Sequence, residues 1–219
     1  MAFFKVSVEE AAKASTGGNY INQSGVYDVA IKAIIVDYND KGARTLNFYV
    51  DHNGQEQVIY GALRLDNNDG TPSFQAAQFN KLCVIAGLDV VSEPEEATLP
   101  IGKEGADKDV AVLPDFQDLD VKLWIQQEYS VYEGSIKEKK LIKGFYAPNG
   151  ASADEIINET EIGVRFAKDE KYHTNTSYKD NLTEEVVQKW ISDGRKEGTM
   201  GKTTTAPKAS FGKPKFGVK

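Results

Sequence analysis

From Tyr27 onward the odd positions are apolar (Tyr27, Val29, Ile31, Ala33, Ile35), while Asp28 and Lys32 stand between them. Side chains on a strand point to opposite faces in turn, so this spacing predicts a half-buried strand whose odd positions face a core. Asn39-Asp40-Lys41-Gly42 then reads as a turn. A second strand follows, with Leu46, Phe48 and Val50 inward and Asn47 and Tyr49 outward. Asp51-His52-Asn53-Gly54 carries Asn-Gly, the strongest short hairpin signal. The third strand places Ile59, Gly61, Leu63 and Leu65 on one face and Val58, Tyr60, Ala62 and Arg64 on the other. Three strands joined by tight turns make a meander.

A helix is predicted next. Thr71-Pro72 supplies a cap followed by proline at the first helical position, Phe74, Ala77, Leu82, Cys83, Ile85 and Ala86 recur at helical spacing, and Gly87 ends the run. Residues 89–118 contain three prolines among nine acids and read as a long, partly ordered acidic insertion. Val121, Leu123 and Ile125 alternate with Lys122, Trp124 and Gln126 in a fourth strand running toward Tyr132; Ile136 to Ala147 is a fifth. Strand, strand, strand, helix, strand, strand is the order of the OB-fold, a five-stranded barrel with its helix between the third and fourth strands. The expected class is therefore mainly β (α+β).

Four segments result: residues 1–23, an N-terminal segment; 24–150, the OB-fold with its insertion at 89–118; 151–197, a C-terminal extension; and 198–219, a flexible tail with four glycines and two prolines. In the extension, Ser152 to Ile157 reads as a short helix and Glu161 to Phe166 as a short strand. A further helix, capped at Asn181 or Thr183 and stopped by Gly194, presents Val186, Val187, Trp190 and Ile191 and is expected to pack on the barrel.

Composition narrows the function. With 40% hydrophobic residues among 219, the chain can bury a real core. No apolar run is long enough for a membrane span or a signal peptide, and the single Cys83 builds no disulfide framework, so a cytoplasmic location is expected. The net charge of −7 is unevenly spread: residues 89–118 carry −7, while 198–219 hold five lysines and no acid. Outside residues 198–219 the chain therefore carries −12. A low total does not exclude a nucleic-acid ligand when the cations are gathered in one place.

Catalytic signatures are missing. His52 and His173 lie in unrelated segments, Cys83 sits in an apolar set with no partner base, and no phosphate loop or dinucleotide fingerprint is present. Asp66-Asn67-Asn68-Asp69-Gly70 resembles a calcium loop only faintly, with no Glu at the twelfth position. No catalytic residue, metal or cofactor is expected.

The outward strand faces say more. Tyr49, Tyr60, Arg64, Lys122, Trp124 and Tyr132 place an aromatic ring beside a base on faces that should be polar. Single-strand binders use that combination, with rings for stacked bases and cations for phosphates. Packing of some of these rings beneath the insertion or the C-terminal helix is the competing reading. Lys139, Lys140 and Lys143 supply either a basic rim or a charged edge that discourages sheet pairing. Phe211 and Phe216 alternate with Lys208, Lys213 and Lys215 in the tail, which suits clamping a strand or docking on a partner.

The stretch SGVYDVAIKAIIVDYNDKGARTLNFYVDHNGQEQVIYGALRL, with a helix ending NKLCVIAGL, resembles the single-stranded DNA-binding proteins of tailed bacteriophages. The resemblance covers Ser24 to Ala147. It implies an OB-fold protein, not an enzyme, that coats single-stranded DNA exposed in phage replication and recombination, in the cytoplasm of the infected host. Phage replication or recombination proteins are the implied partners. Many such proteins end in an acidic tail, whereas this chain ends in a basic one. Two other readings stay open: an OB-fold protein-interaction module, and a metal-dependent nuclease.

Overall fold

The computed structural model describes residues 19–195. The protein is mainly β, built on an open eight-stranded antiparallel sheet. Strands β1 (Gly25–Tyr38), β2 (Arg44–His52) and β3 (Gln55–Arg64) form the meander. Asn53 and Gly54, both at positive φ, make the two-residue link between β2 and β3 that the Asn-Gly pair predicts. Helix α1 (Ala76–Ile85) follows, then β4 (Glu95–Leu99), β5 (Lys108–Leu113), β6 (Leu119–Tyr132) and β7 (Ser135–Tyr146). Helices α2 (Ala153–Ile157) and α3 (Val164–Asp169), the two-residue β8 (Ser177–Tyr178) and α4 (Glu184–Ser192) complete the chain.

β1 is the hub. Its first half, Gly25–Ile31, pairs with β6, and its second half, Ala30–Tyr38, with β2. β7 pairs with β6, so the meander continues as β3-β2-β1-β6-β7. Two compact units result: one comprises the described residues up to Glu128 together with Glu138–Ser177, the other Tyr129–Lys137 with the described residues from Tyr178 onward.

The core of the first unit gathers Ile31, Ile34 and Val36 of β1, Leu46, Phe48 and Val50 of β2, Ile59, Ala62 and Leu63 of β3, Leu82 of α1, and Leu123, Ile125, Ile142 and Phe145 of β6 and β7. The Phe48 and Phe145 rings meet at 5.7 Å between centroids. In the second unit Tyr129, Ile136, Leu182 and Val187 cluster, with Trp190 and Ile191 against them. Within this unit the apolar face of α4 packs on the tips of β6 and β7.

Several expectations are corrected. The inward parity of β1 does not run through to Ile35, because the register with β2 shifts between Ile31 and Ala33. A bulge adds one residue and reverses the faces beyond it. Ile34 and Val36 join the main core, while Ala33 and Ile35 turn to the other side. That other side is also buried, because residues 89–118 are ordered: β4 and β5 form a hairpin whose Leu113 and Val112 pair with Ile34 and Ile35. Leu99, Ile101, Val110 and Val112 cover Ala33, Ile35 and Tyr49. Helix α1 starts at Ala76, not Pro72, since Pro72 bridges back to Asp66; Phe74 is left in the loop, 91% exposed. Residues 161–166 form no strand; Gly163 at φ 85° opens α3 instead.

Candidate nucleic-acid interface

The site grows from a break in the β2–β3 ladder. Leu46 pairs with Leu63 and Phe48 with Ile59, so Asn47 alone faces Tyr60, Gly61 and Ala62. Gly61 takes φ +57°, which favours glycine. The Asn47 side chain, itself buried, closes the gap: its Oδ1 accepts from Gly61 N–H at 2.6 Å and its Nδ2 donates to an Asp37 carboxylate oxygen at 2.5 Å. Bulges re-aim side chains. Here Ala62 turns into the core and Tyr60 outward, 61% exposed.

Tyr60 borders an open groove of about 540 Å³ lined by Tyr20, Glu56, Pro100, Ile101, Gly102 and Lys140, among others. Tyr20, 57% exposed, is placed by its neighbours. Gln57 accepts from Ile21 N–H at 2.9 Å and donates to the Asn19 carbonyl at 3.3 Å, and Ile21 plugs the core. The wall opposite β3 is the loop of the β4–β5 hairpin, kept tight at Gly102, where a Cβ would lie 2.6 Å from the Ala106 carbonyl oxygen. Tyr49 is not the exposed platform that strand alternation implies. It is 6% exposed beneath that hairpin, and its hydroxyl donates to Glu56. Burial, and then that bond, push the Tyr49 hydroxyl up to about 12, so it stays a proton donor at neutral pH.

The remaining expected residues are dispersed. Arg64 donates from Nε to the Asp66 carbonyl at 2.7 Å and from its guanidinium to Asn68 at 2.5 Å, which fastens the loop ahead of α1. Lys122 pairs with Asp28 across the β1–β6 ladder at 2.6 Å. Trp124 is half-buried, edge-on to His173 at 4.9 Å, in a cluster with Tyr146 and Phe166, and its ring covers Gly144. Lys143 is exposed and borders, with Trp124, a cavity of about 80 Å³. Lys139 is exposed, its Cε within 3.8 Å of where a Cβ on Gly61 would stand. Tyr132 is exposed in the second unit. Lys208, Phe211, Lys213, Lys215 and Phe216 lie outside the described residues.

The arrangement in the first unit therefore joins Tyr60 to Tyr20 and Lys140, with Lys139 beside Gly61, and leaves Arg64, Lys122 and Trp124 to internal roles. Sequence reasoning misses Tyr20. Its only signal is the lone apolar Ile21 set among Asn19, Asn22 and Gln23. Burial lowers the His173 pKa, and its Nε2 has no hydrogen-bond partner among the described residues. Among the described residues no three His, Cys, Asp or Glu side chains are grouped to hold a metal ion, and no helix is long and apolar enough to cross a membrane.

Compared with models of known protein families and with curated proteins, the sequence matches none.

Proposed function

We propose that this is a sequence-tolerant single-stranded DNA-binding protein of the phage type, not an enzyme, that protects exposed strands in replication and recombination within the infected host. The observation that carries the reading is Tyr60, thrown out of β3 by a locked bulge into a groove with a second exposed ring, Tyr20, and a lysine of β7, Lys140. Two rings with basic groups nearby suit one or two unstacked bases and their phosphates, each stacked base being worth about 1–3 kcal/mol.

The strand order β3-β2-β1-β6-β7, with α1 between β3 and β6, supports an OB-type barrel as the scaffold. In such a barrel β7 would close on β3. The approach of Lys139 to Gly61 and the Phe48–Phe145 contact agree with that closure. In this reading Tyr132 and the tail residues Lys208, Phe211, Lys213, Lys215 and Phe216 extend the contact with the strand.

Titrating a labelled single strand of mixed sequence and a duplex of equal length tests the proposal. Tighter binding to the single strand, weakening steeply with salt, is expected. Equal affinity for both, or none for either, refutes it. A second reading, a protein-docking module, is favoured by four exposed aliphatic residues around α2 and α3: Ile156, Ile157, Ile162 and Val164. Binding through such a face would respond little to salt.

A further inference from the structure

The groove that carries Tyr60 also holds a carboxylate. Glu56, Val58 and Tyr60 lie on the outer face of β3, since Gln57 and Ile59 between them are buried. Glu56 borders the groove, is exposed, and accepts a hydrogen bond through Oε2 from the Tyr49 hydroxyl. Oε1 accepts no hydrogen bond among the described residues. The buried tyrosine thus holds the carboxylate in place and leaves one oxygen for a ligand. A carboxylate here is unexpected if the groove serves only phosphates, which it repels.

The repulsion has a direction. Lys140 lines the same groove, so a nucleotide stacked there lowers its energy by turning its phosphate toward the lysine and its base edge toward Glu56. An ionised carboxylate only accepts hydrogen bonds. Cytosine and adenine present an exocyclic amine to it, as in the pairing of Glu with cytosine N4 in duplex readout. Thymine and uracil present a carbonyl oxygen at the corresponding position, which the carboxylate repels, and offer it only the N3–H beside that oxygen.

We propose that Glu56, oriented by Tyr49, makes this groove prefer cytosine or adenine, whose exocyclic amines sit at C4 and C6, over thymine or uracil, which carry a carbonyl oxygen there. The inference rests on the single-strand reading and names the kind of base that its groove takes. Tolerance of sequence elsewhere along the strand is unaffected, because stacking is indifferent to base identity.

The test uses the full chain with oligo-dC and oligo-dU of one length, which differ only in the amine-for-carbonyl exchange and the N3 proton. Anisotropy titrations are run on the wild type, E56Q and Y49F, with circular dichroism to verify folding. Oligo-dC is expected to bind about fivefold tighter than oligo-dU to the wild type. In E56Q, whose amide both donates and accepts, the ratio falls to within about twofold, with oligo-dU affinity equal or higher. Y49F leaves the carboxylate in place but unoriented, and the ratio falls partway. Equal affinities in the wild type, or a ratio that survives E56Q, overturn the selectivity while leaving single-strand binding standing. Failure of the wild type to bind either strand overturns both.

Discussion

Asn47→Ala is the perturbation that separates the bulge from its consequences. Two hydrogen bonds vanish together: the one at 2.6 Å from Gly61 N–H and the one at 2.5 Å to Asp37. Asp37 is exposed and regains water, so its loss costs little. Gly61 N–H lies in a part-buried bulge where no strand partner can replace the side chain, and an unsatisfied donor there costs about 1–3 kcal/mol. A destabilisation of about 2 kcal/mol follows, which a domain of ordinary stability, about 5–15 kcal/mol, survives. Urea denaturation followed by far-UV circular dichroism should show a lower midpoint with an unchanged slope. The second effect is on binding. A loosened bulge no longer fixes the Tyr60 ring, and losing about 1.4 kcal/mol of stacking weakens single-strand affinity about tenfold. Tyr60→Ala, which keeps the lock and removes the ring, should weaken binding equally at wild-type stability. An Asn47→Ala protein that unfolds at the wild-type midpoint and binds as tightly as wild type refutes the reasoning.

Phe48→Ala removes a ring that is fully buried against Phe145, and should cost about 3–5 kcal/mol in a denaturation experiment. Deleting residues 198–219 removes five lysines from a chain whose remainder carries −12. The plot of log affinity against log salt should then flatten by roughly 0.7 for each phosphate that the tail had neutralised. An unchanged slope would mean that the tail does not touch DNA. His173 has a folded-state pKa lowered by burial, so the unfolded chain takes up its proton first as pH falls. Stability from this group is present above the unfolded value near 6.5 and is lost as pH drops from there through the folded value. Thermal melts of wild type and His173→Phe between about pH 7.5 and 5 should therefore diverge below about 6.5, the wild type losing more.

The meander is legible in the sequence because its signals are local: alternation in β1 and β2, and Asn53-Gly54 between β2 and β3. The helix α4 is legible too, from Thr183 and Gly194 at its ends. What stays hidden depends on register and on distant partners. Nothing near Lys32 announces the bulge that flips Ile34 and Ile35, and nothing in the β3 sequence says that Asn47 opposes three residues. Equating outward faces with solvent faces holds for Tyr60 and fails for Tyr49, because the segment expected to be partly ordered folds into a hairpin over it. Trp124 fails because a different segment covers it, its ring meeting His173 of the C-terminal extension. Arg64 and Lys122 are recognisable as bases, but their partners Asp66, Asn68 and Asp28 are matters of pairing rather than composition. Phe74 shows the converse, an apolar residue at helical spacing that the Asp66–Pro72 bridge leaves in solvent.

The most direct measurement is photo-crosslinking of the full chain to a single strand carrying 5-iodocytosine, followed by peptide mass spectrometry. A strand lying in the groove puts halogenated bases against Tyr60 and Tyr20, so adducts at those two residues are expected. Tyr60→Ala should abolish the adduct at that position in every case, and Tyr60→Phe only if the hydroxyl is the attachment point. Adducts that avoid both tyrosines, or that persist unchanged in number when Tyr60 is replaced by alanine, would contradict a strand bound in this groove.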